Sequence, residues 1–232
     1  MPDGPKINLG SWAHAPRDWI NIDGSWNAWL SQHPRLYSLA QAAGVLPDWA
    51  TETKWPDNIL VHDLRKPLPF RDGFAEAIYG SHLLEHLYLV EAEALLRECN
   101  RVLRSGGILR LVVPDARAAV EEYLGARPFG DSDEKASLPA ADRLNERLGF
   151  RDRHPPAGSL PYRVYAALHD FHSHKWMYDE ESLTAELEKA GFQDVRRMGY
   201  LESRIEGIES VELRKRVIDE CGICIEGVKP RV

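Results

Sequence analysis

The sequence predicts an α/β fold: a doubly wound, mostly parallel sheet of seven strands with a lid-like insertion over it. Three observations carry this. Short apolar strands recur along the chain and alternate with stretches of helical rhythm, the pattern of a parallel sheet covered on both faces. Three of the early strands stop at an acid or a histidine, Asp23, Asp63 and His82. The chain of 232 residues, 44% hydrophobic and 28% charged, has the size and composition of one folded unit with a sizeable core.

Taken in order, Lys6-Ile-Asn-Leu9 is a short strand closing at Gly10, and Trp19-Ile-Asn-Ile22 is a second closing at Asp23. Only residues 10–18 join them, too few for the usual crossover helix, which needs a connection of a dozen or more residues. Residues 24–58 read as irregular, with one helix near 36–43. Residues 59–62 form a strand ending at Asp63, and residues 74–79 another ending at Gly80-Ser81-His82. Over residues 85–103 the apolar positions Leu87, Val90, Ala94, Leu95 and Val102 keep a helical rhythm, and Gly106-Gly107 supplies a C-terminal stop. Ile108-Leu-Arg-Leu-Val-Val113 is the strongest strand and stops at Pro114-Asp115. Residues 125–175 break the pattern again and read as the insertion or lid, with a short helix at 140–148. A helix at 180–190, ended by Gly191, and strands at 194–200 and 222–228 close the chain. Neither an internal repeat nor a low-complexity tract interrupts it, so residues 1–232 read as a single domain with two irregular insertions.

Composition excludes several functions. Lys plus Arg at 29 against Asp plus Glu at 36 gives a net charge of −7, which speaks against nucleic acid as a partner because phosphate backbones need clustered positive charge. The longest apolar run is five residues, Val164 to Leu168, against the roughly 20 of a membrane helix, and the N-terminus lacks a signal pattern. A soluble, cytoplasmic chain without a membrane partner is expected, acting on a small molecule or glycan. Of the three cysteines, Cys221 and Cys224 spell CxxC. A redox pair wants its first thiol at a helix N-terminus, whereas this one runs into a closing strand, so two small apolar side chains near a sheet edge are expected.

Ligands of open parallel sheets bind outside the carboxyl ends of the strands. The residues at those ends are Gly10, Asp23, Asp63, His82 and Asp115. A glycine after the first strand lets the backbone approach a ligand, and an acid ending the second can accept both hydroxyls of a ribose. The ordered set points to a nucleoside-containing cofactor.

At these residues the sequence resembles the class I S-adenosylmethionine-dependent methyltransferases, and among them the small bacterial predicted methyltransferases with a very short first crossover. Ile7-Asn-Leu-Gly-Ser11 with Trp19-Ile-Asn-Ile-Asp23, Asp63-Leu64 with Pro67-Leu-Pro-Phe70, Ser81-His-Leu-Leu-Glu-His-Leu87, and Arg101-Val-Leu-Arg-Ser-Gly-Gly107 with Val112-Val-Pro-Asp115 are similar to the family's segments. His174-Lys-Trp-Met-Tyr-Asp179 is similar to a later one. The resemblance implies a Rossmann-like methyltransferase fold and S-adenosylmethionine as cofactor. It implies Gly10, with Ser11 and Trp12, at the methionine part, Asp23 at the ribose, Asp63 and Leu64 at the adenine, and His82 at the mouth beside the sulfonium. Trp12 departs from the family, which has glycine there. The resemblance also carries an association with surface-polysaccharide biosynthesis.

Two further motifs compete for attention. His82-Leu-Leu-Glu85-His86 spells HxxEH; on a helix His82 and His86 would share a face and could ligate zinc with Glu85 as base. The methyltransferase-like order of the strands around it outweighs that reading, and no metal is expected. His169, His172 and His174 cluster, with His174 the one expected to line the substrate pocket. Seven tryptophans suit core packing and loop anchoring more than sugar stacking.

Methyl transfer from a sulfonium is an in-line displacement, so a base is needed only if the acceptor loses a proton. His82, His174 and Asp115 are the candidates. The expected activity is methyl transfer to a small-molecule or saccharide acceptor, the alternative being a non-catalytic binding module on the same fold.

Overall fold

In the computed structural model, residues 4–42, 46, 53–125, 139–149 and 173–231 are described. Seven strands, β1 (Lys6–Leu9), β2 (Ile20–Asp23), β3 (Ile59–Val61), β4 (Ala75–Ser81), β5 (Leu103–Pro114), β6 (Gln193–Met198) and β7 (Gly222–Val228), form one sheet in the order β3-β2-β1-β4-β5-β7-β6. The first five run parallel. β7 enters antiparallel between β5 and β6. The mostly parallel seven-stranded α/β sheet expected from the sequence is therefore present.

Six α-helices accompany it among the described residues: α1 (Trp26–Ser31), α2 (Pro34–Ala42), α3 (Leu89–Val102), α4 (Ala116–Tyr123), α5 (Ala140–Leu148) and α6 (Glu180–Lys189). The stretch read as irregular at 24–58 thus holds two short helices; Ser25 caps the first by accepting from Ala28 N–H. The helix expected over 85–103 divides into a 3-10 turn at Leu84–His86 and α3. Gly106-Gly107 does not cap that helix. α3 passes directly into β5 at Leu103, and the glycines form a bulge in which Gly106 has φ +76°. A Cβ on Gly107 would lie 2.9 Å from the Arg104 carbonyl oxygen, so the bulge requires glycine. Of the lid expected at 125–175, only α5 with its flanks and residues 173–175 are described. Val164–Leu168, His169 and His172 lie outside the described residues.

The main core forms where α3 and α6 press Leu95, Leu96, Cys99, Leu183 and Leu187 onto the strand residues Ile7, Ile22, Ile78, Leu109 and Ile225. On the opposite face the strand register aligns a buried row that is largely polar: Asn21, Asn8, Tyr79, Arg110 and Glu226. Here the short first crossover has a structural consequence. Residues 10–18 supply no covering helix, and Asn8 and Asn21 hold the link in place: Asn8 Nδ2 donates to His14 O (3.2 Å) and Asn21 Nδ2 to Pro16 O (2.8 Å). The long segment between β6 and β7 covers the face instead, packing Ile205, Ile208, Val211 and Val217 on Trp19, Ala77 and Val112. Trp19 Nε1 donates to Ser210 Oγ at 2.9 Å, and His14 Nε2–H to the Ser210 carbonyl at 3.0 Å.

The same segment brings Glu212 to Arg110. Both side chains are fully buried, as is that of Glu226. Arg110 donates to Glu212 through Nε (2.7 Å) and Nη2 (3.0 Å), to Glu226 through Nη1 (3.0 Å), and to the carbonyls of Glu202 and Gly199 (both 2.9 Å).

Candidate functional site

Because β1 to β5 are parallel, their carboxyl ends share one edge of the sheet. Asp63, Asp23, Gly10, His82 and Asp115 follow one another across that edge in the spatial order of the strands. The chain order reverses between β1 and β4, so Gly10 and His82 flank the point where crevices open in such sheets.

Gly10 leaves β1 with φ +63°, a left-handed conformation, and a Cβ there would come within 3.3 Å of Leu83 Cδ1. The turn favours glycine, and a side chain there would press on Leu83. Ser11 is buried; its N–H donates to Ile22 O at 3.0 Å and its hydroxyl to Trp12 O at 3.3 Å. Trp12 has φ +50°, so it retains the backbone conformation that glycine would adopt while carrying an indole, which packs tilted against Trp55 at 5.4 Å between ring centroids. Its N–H donates to Asp23 Oδ2 at 2.9 Å, and Ser25 N–H donates to Asp23 Oδ1 at 2.8 Å. Asp23 thus ties the β1 loop to the start of α1. Each of its oxygens takes one N–H, and an ionised carboxylate offers about four acceptor sites, so capacity for a vicinal diol remains. By donor set and loop shape these residues fit the nucleoside of S-adenosylmethionine.

Asp63 forms a bidentate pair with Arg65 (Nε to Oδ1 2.8 Å, Nη2 to Oδ2 3.0 Å), and the guanidinium holds its carboxyl below the usual range. The Leu64 side chain belongs to the main core. Asp115 is the N-cap of α4, accepting from Ala118 N–H at 3.1 Å, a structural duty for a residue singled out as a base.

His82 follows β4 with φ +51°, and the chain then makes the 3-10 turn. His82 and His86 therefore do not share an α-helical face, and the HxxEH geometry expected for a zinc peptidase does not form. His82 Nε2–H donates to the Arg216 carbonyl (3.0 Å), which leaves the lone pair on Nδ1, 3.4 Å from Glu85 Oε1. Burial lowers the pKa of His82. Glu85 is fully buried, and burial raises its pKa to about 8. Sequence reasoning gave Glu85 and His86 a chemical role only within the peptidase motif, though both lie in the Ser81–Leu87 segment that resembles the methyltransferases; Arg216 and Glu220, which face His82 from the β6–β7 segment, carried no signal.

His174 lies on this side of the molecule as well. Its ring stands at 4.9 Å from that of His86 in an edge-on arrangement, and its Nδ1–H donates to Leu148 O at 2.8 Å at the end of α5. Burial lowers its pKa too. The segment is pinned by Lys175, whose N–H donates to Glu85 O (2.7 Å) and whose ammonium donates to His86 O (2.9 Å). The structure therefore brings Gly10, Trp12 and Asp23 into one cluster and His82, Glu85, His86 and His174 into another. The cysteines stay thiols: Cys224 is buried on β7 with its pKa raised to about 12, and burial raises that of Cys221.

Residues 23–111, from the end of β2 into β5, match a family described as a methyltransferase domain. No curated protein matches the sequence. Among solved structures, an S-adenosylmethionine-dependent methyltransferase from Methanosarcina mazei is similar over 100% of this chain and 95% of its own, at 18% identity and a TM-score of 0.51. An S-adenosylmethionine-dependent methyltransferase from Thermotoga maritima, described as a possible histamine N-methyltransferase, covers 99% and 84% at 16% identity and a TM-score of 0.46. At such identities the likeness is one of fold, and the first of the two carries it.

Proposed function

We propose that the chain, whose residues 23–111 match a methyltransferase domain, is a class I S-adenosylmethionine-dependent methyltransferase and that its methyl acceptor is a hydroxyl group of a small molecule or saccharide. Bound S-adenosylmethionine supplies an electrophilic methyl group on a sulfonium sulfur. This chain's residues orient it: the Gly10–Trp12 turn lets the backbone approach, and Asp23 accepts from the ribose hydroxyls. A hydroxyl acceptor gives up a proton as it is methylated, whereas a sulfonium donor needs no help from the protein to become electrophilic. The observation that carries the reading is the imidazole and carboxylate cluster beside the switch point, where burial lowers the pKa of His82 and His174 and so favours the neutral form that can accept a proton. Asp115, with an oxygen committed to α4, serves less well.

A residue that would favour the non-catalytic alternative is Trp12, which stands where the resembled family has glycine. With φ +50° and its N–H on Asp23, Trp12 keeps the turn that glycine would make, which supports the catalytic reading over that alternative.

Calorimetric titration with S-adenosylmethionine or its demethylated product tests the cofactor site. The wild type should bind, and Asp23→Ala should cost roughly 1.5–3 kcal/mol of affinity, the range for hydrogen bonds to a charged acceptor. Absence of binding by the folded wild type at millimolar cofactor would sink the assignment. Acceptor class is tested by turnover on hydroxylated against aminated analogues; preference for amines would overturn the hydroxyl reading.

A further inference from the structure

We infer that Glu85, His86 and His174 together hold a divalent transition-metal cation at the acceptor side of the site. One ligand atom from each lies within 4.8 Å of the others. This set shares only the ligand His86 with the HxxEH reading: Glu85, the base there, is a ligand here, and His174, from a segment nearly ninety positions away, takes the place of His82.

Glu85 supplies the first argument. Its side chain has no exposure, and neither carboxylate oxygen has a hydrogen-bond partner among the described residues. A buried carboxylate without hydrogen bonds is costly, and a cation or a proton must answer it. His82 Nδ1 does not answer it, because Nε2–H is committed to the Arg216 carbonyl and Nδ1 therefore presents a lone pair to Oε1.

The two imidazoles supply the second. His174 places Nδ1–H on Leu148 O (2.8 Å), and His86 Nδ1 faces Ser173 O (3.4 Å). Carbonyls accept only, so the His174 ring is set in the tautomer that carries its lone pair on Nε2, and the longer His86 contact favours the same tautomer there. Metal-ligating histidines are oriented in this way, by the other ring nitrogen donating to a backbone carbonyl. The His174 seat is also shaped for the ring: a Cβ on Gly149 would stand 2.3 Å from Nδ1. The Lys175 bonds to the carbonyls of Glu85 and His86 fasten the two contributing segments together.

Ligands on one ion at about 2.0–2.2 Å are roughly 3 Å apart when adjacent and roughly 4.3 Å apart when opposite. Closing from 4.8 Å takes about an ångström of side-chain movement. Two imidazoles and one carboxylate suit Zn²⁺ and its neighbours better than Mg²⁺ or Ca²⁺, and three protein ligands leave positions open, as in catalytic sites. The role we assign rests on the hydroxyl-acceptor reading: the cation takes the acceptor oxygen in an open position and lowers its pKa, and with the His174 lone pair spent on the cation, His82 is the base that takes the proton. The binding itself does not rest on it.

The test is titration of chelator-treated protein with Zn²⁺ by calorimetry and with Co²⁺ by visible absorption. We expect one site, with affinity weakened about tenfold or more in both Glu85→Gln and His174→Gln and unchanged in His33→Gln, which samples a histidine elsewhere. Circular dichroism checks each variant. If Glu85→Gln fails to fold, His174→Gln, on a half-buried residue, carries the test. Absence of binding by the wild type, or binding that survives His174→Gln, overturns the proposal and leaves Glu85 buried as the neutral acid. Cofactor titration on the same samples separates this outcome from failure of the methyltransferase assignment.

Discussion

Arg110 lies near the centre of the sheet, and its replacement by methionine gives the sharpest test of how this fold is held. The wild-type guanidinium donates all five N–H groups, three to Glu212 and Glu226 and two to the carbonyls of Glu202 and Gly199. All three charged side chains are fully buried. Glu226 keeps Arg204, whose Nε donates at 2.9 Å, but among the described residues Glu212 retains only Leu201 N–H at 2.7 Å and a weak contact from Cys224. Arg110→Met therefore strands one buried carboxylate almost entirely. Breaking a buried ion pair on one side costs about 3–5 kcal/mol. At about 2–4 °C per kcal/mol for a chain of this size, the melting temperature should fall by roughly 6–20 °C. The double variant Arg110→Met with Glu212→Gln should recover part of the loss, because the stranded charge is gone. Thermal and urea unfolding measure both, and hydrogen exchange should show the loss concentrated in residues 199–221. A loss below about 1 kcal/mol would mean that the network contributes little, and recovery failing in the double variant would place the damage in packing instead of charge.

Trp12→Gly should preserve the turn, since a φ of +50° is open to glycine, and should delete the aromatic contact with Trp55. Cofactor affinity measured by calorimetry is expected to fall by about 0.5–1.5 kcal/mol; tightening would show that the indole obstructs the pocket. At the start of α6, Asp179 accepts from Ser182 N–H at 2.9 Å, and this bond, ahead of Arg117, holds its carboxyl below the usual range. A depressed folded pKa contributes stability above the unfolded value and loses it as the pH falls through the folded one. Asp179→Ala should therefore cost about 1 kcal/mol at pH 7, with the gap from wild type closing as the pH drops below about 4. A gap that is independent of pH would remove the carboxylate from the account.

The strands were legible in the sequence because each rests on a local signal, a short apolar run bounded by a turn residue. β1 and β7 match their expected limits, and the other strands begin or end within a few residues of theirs, except that β5 starts five residues early. That exception comes from the glycine bulge, which lets the strand begin where α3 ends. α4 was missed for a different reason: its signal is the cap, Asp115, and an acid at a strand end reads equally well as a catalytic group. The edge carrying Gly10, Asp23, Asp63 and His82 follows from strand order alone, so it could be read in advance. The cluster around Glu85 could not. Its burial depends on residues 173–176 returning across the 3-10 turn, and Lys175 and Trp176 donating to the Glu85 carbonyl is a contact that no local period encodes.

One sequence feature, the nine-residue first link, propagates to the site. A crossover helix would have laid an apolar stripe on the second face of the sheet, and that face would then need to be apolar across β1 and β2. Here it presents Asn8 and Asn21, which are spent on the carbonyls of the link itself. Coverage passes to the β6–β7 segment, whose backbone carries polar groups along with its apolar side chains, and the buried Arg110, Glu212 and Glu226 satisfy them at Glu202, Gly199 and Leu201. The end of that segment is the π-helical turn Lys215–Asp219, from which Arg216 accepts His82 Nε2–H with its carbonyl and donates from Nη1 to Ser81 O at 3.0 Å. The tautomer of His82, and with it the lone pair facing Glu85, is therefore set by the element that replaces the missing helix. Stability on the second face and chemistry at the strand ends are coupled through one segment, so changes that loosen residues 199–221 should alter the His82 environment before the sheet itself opens.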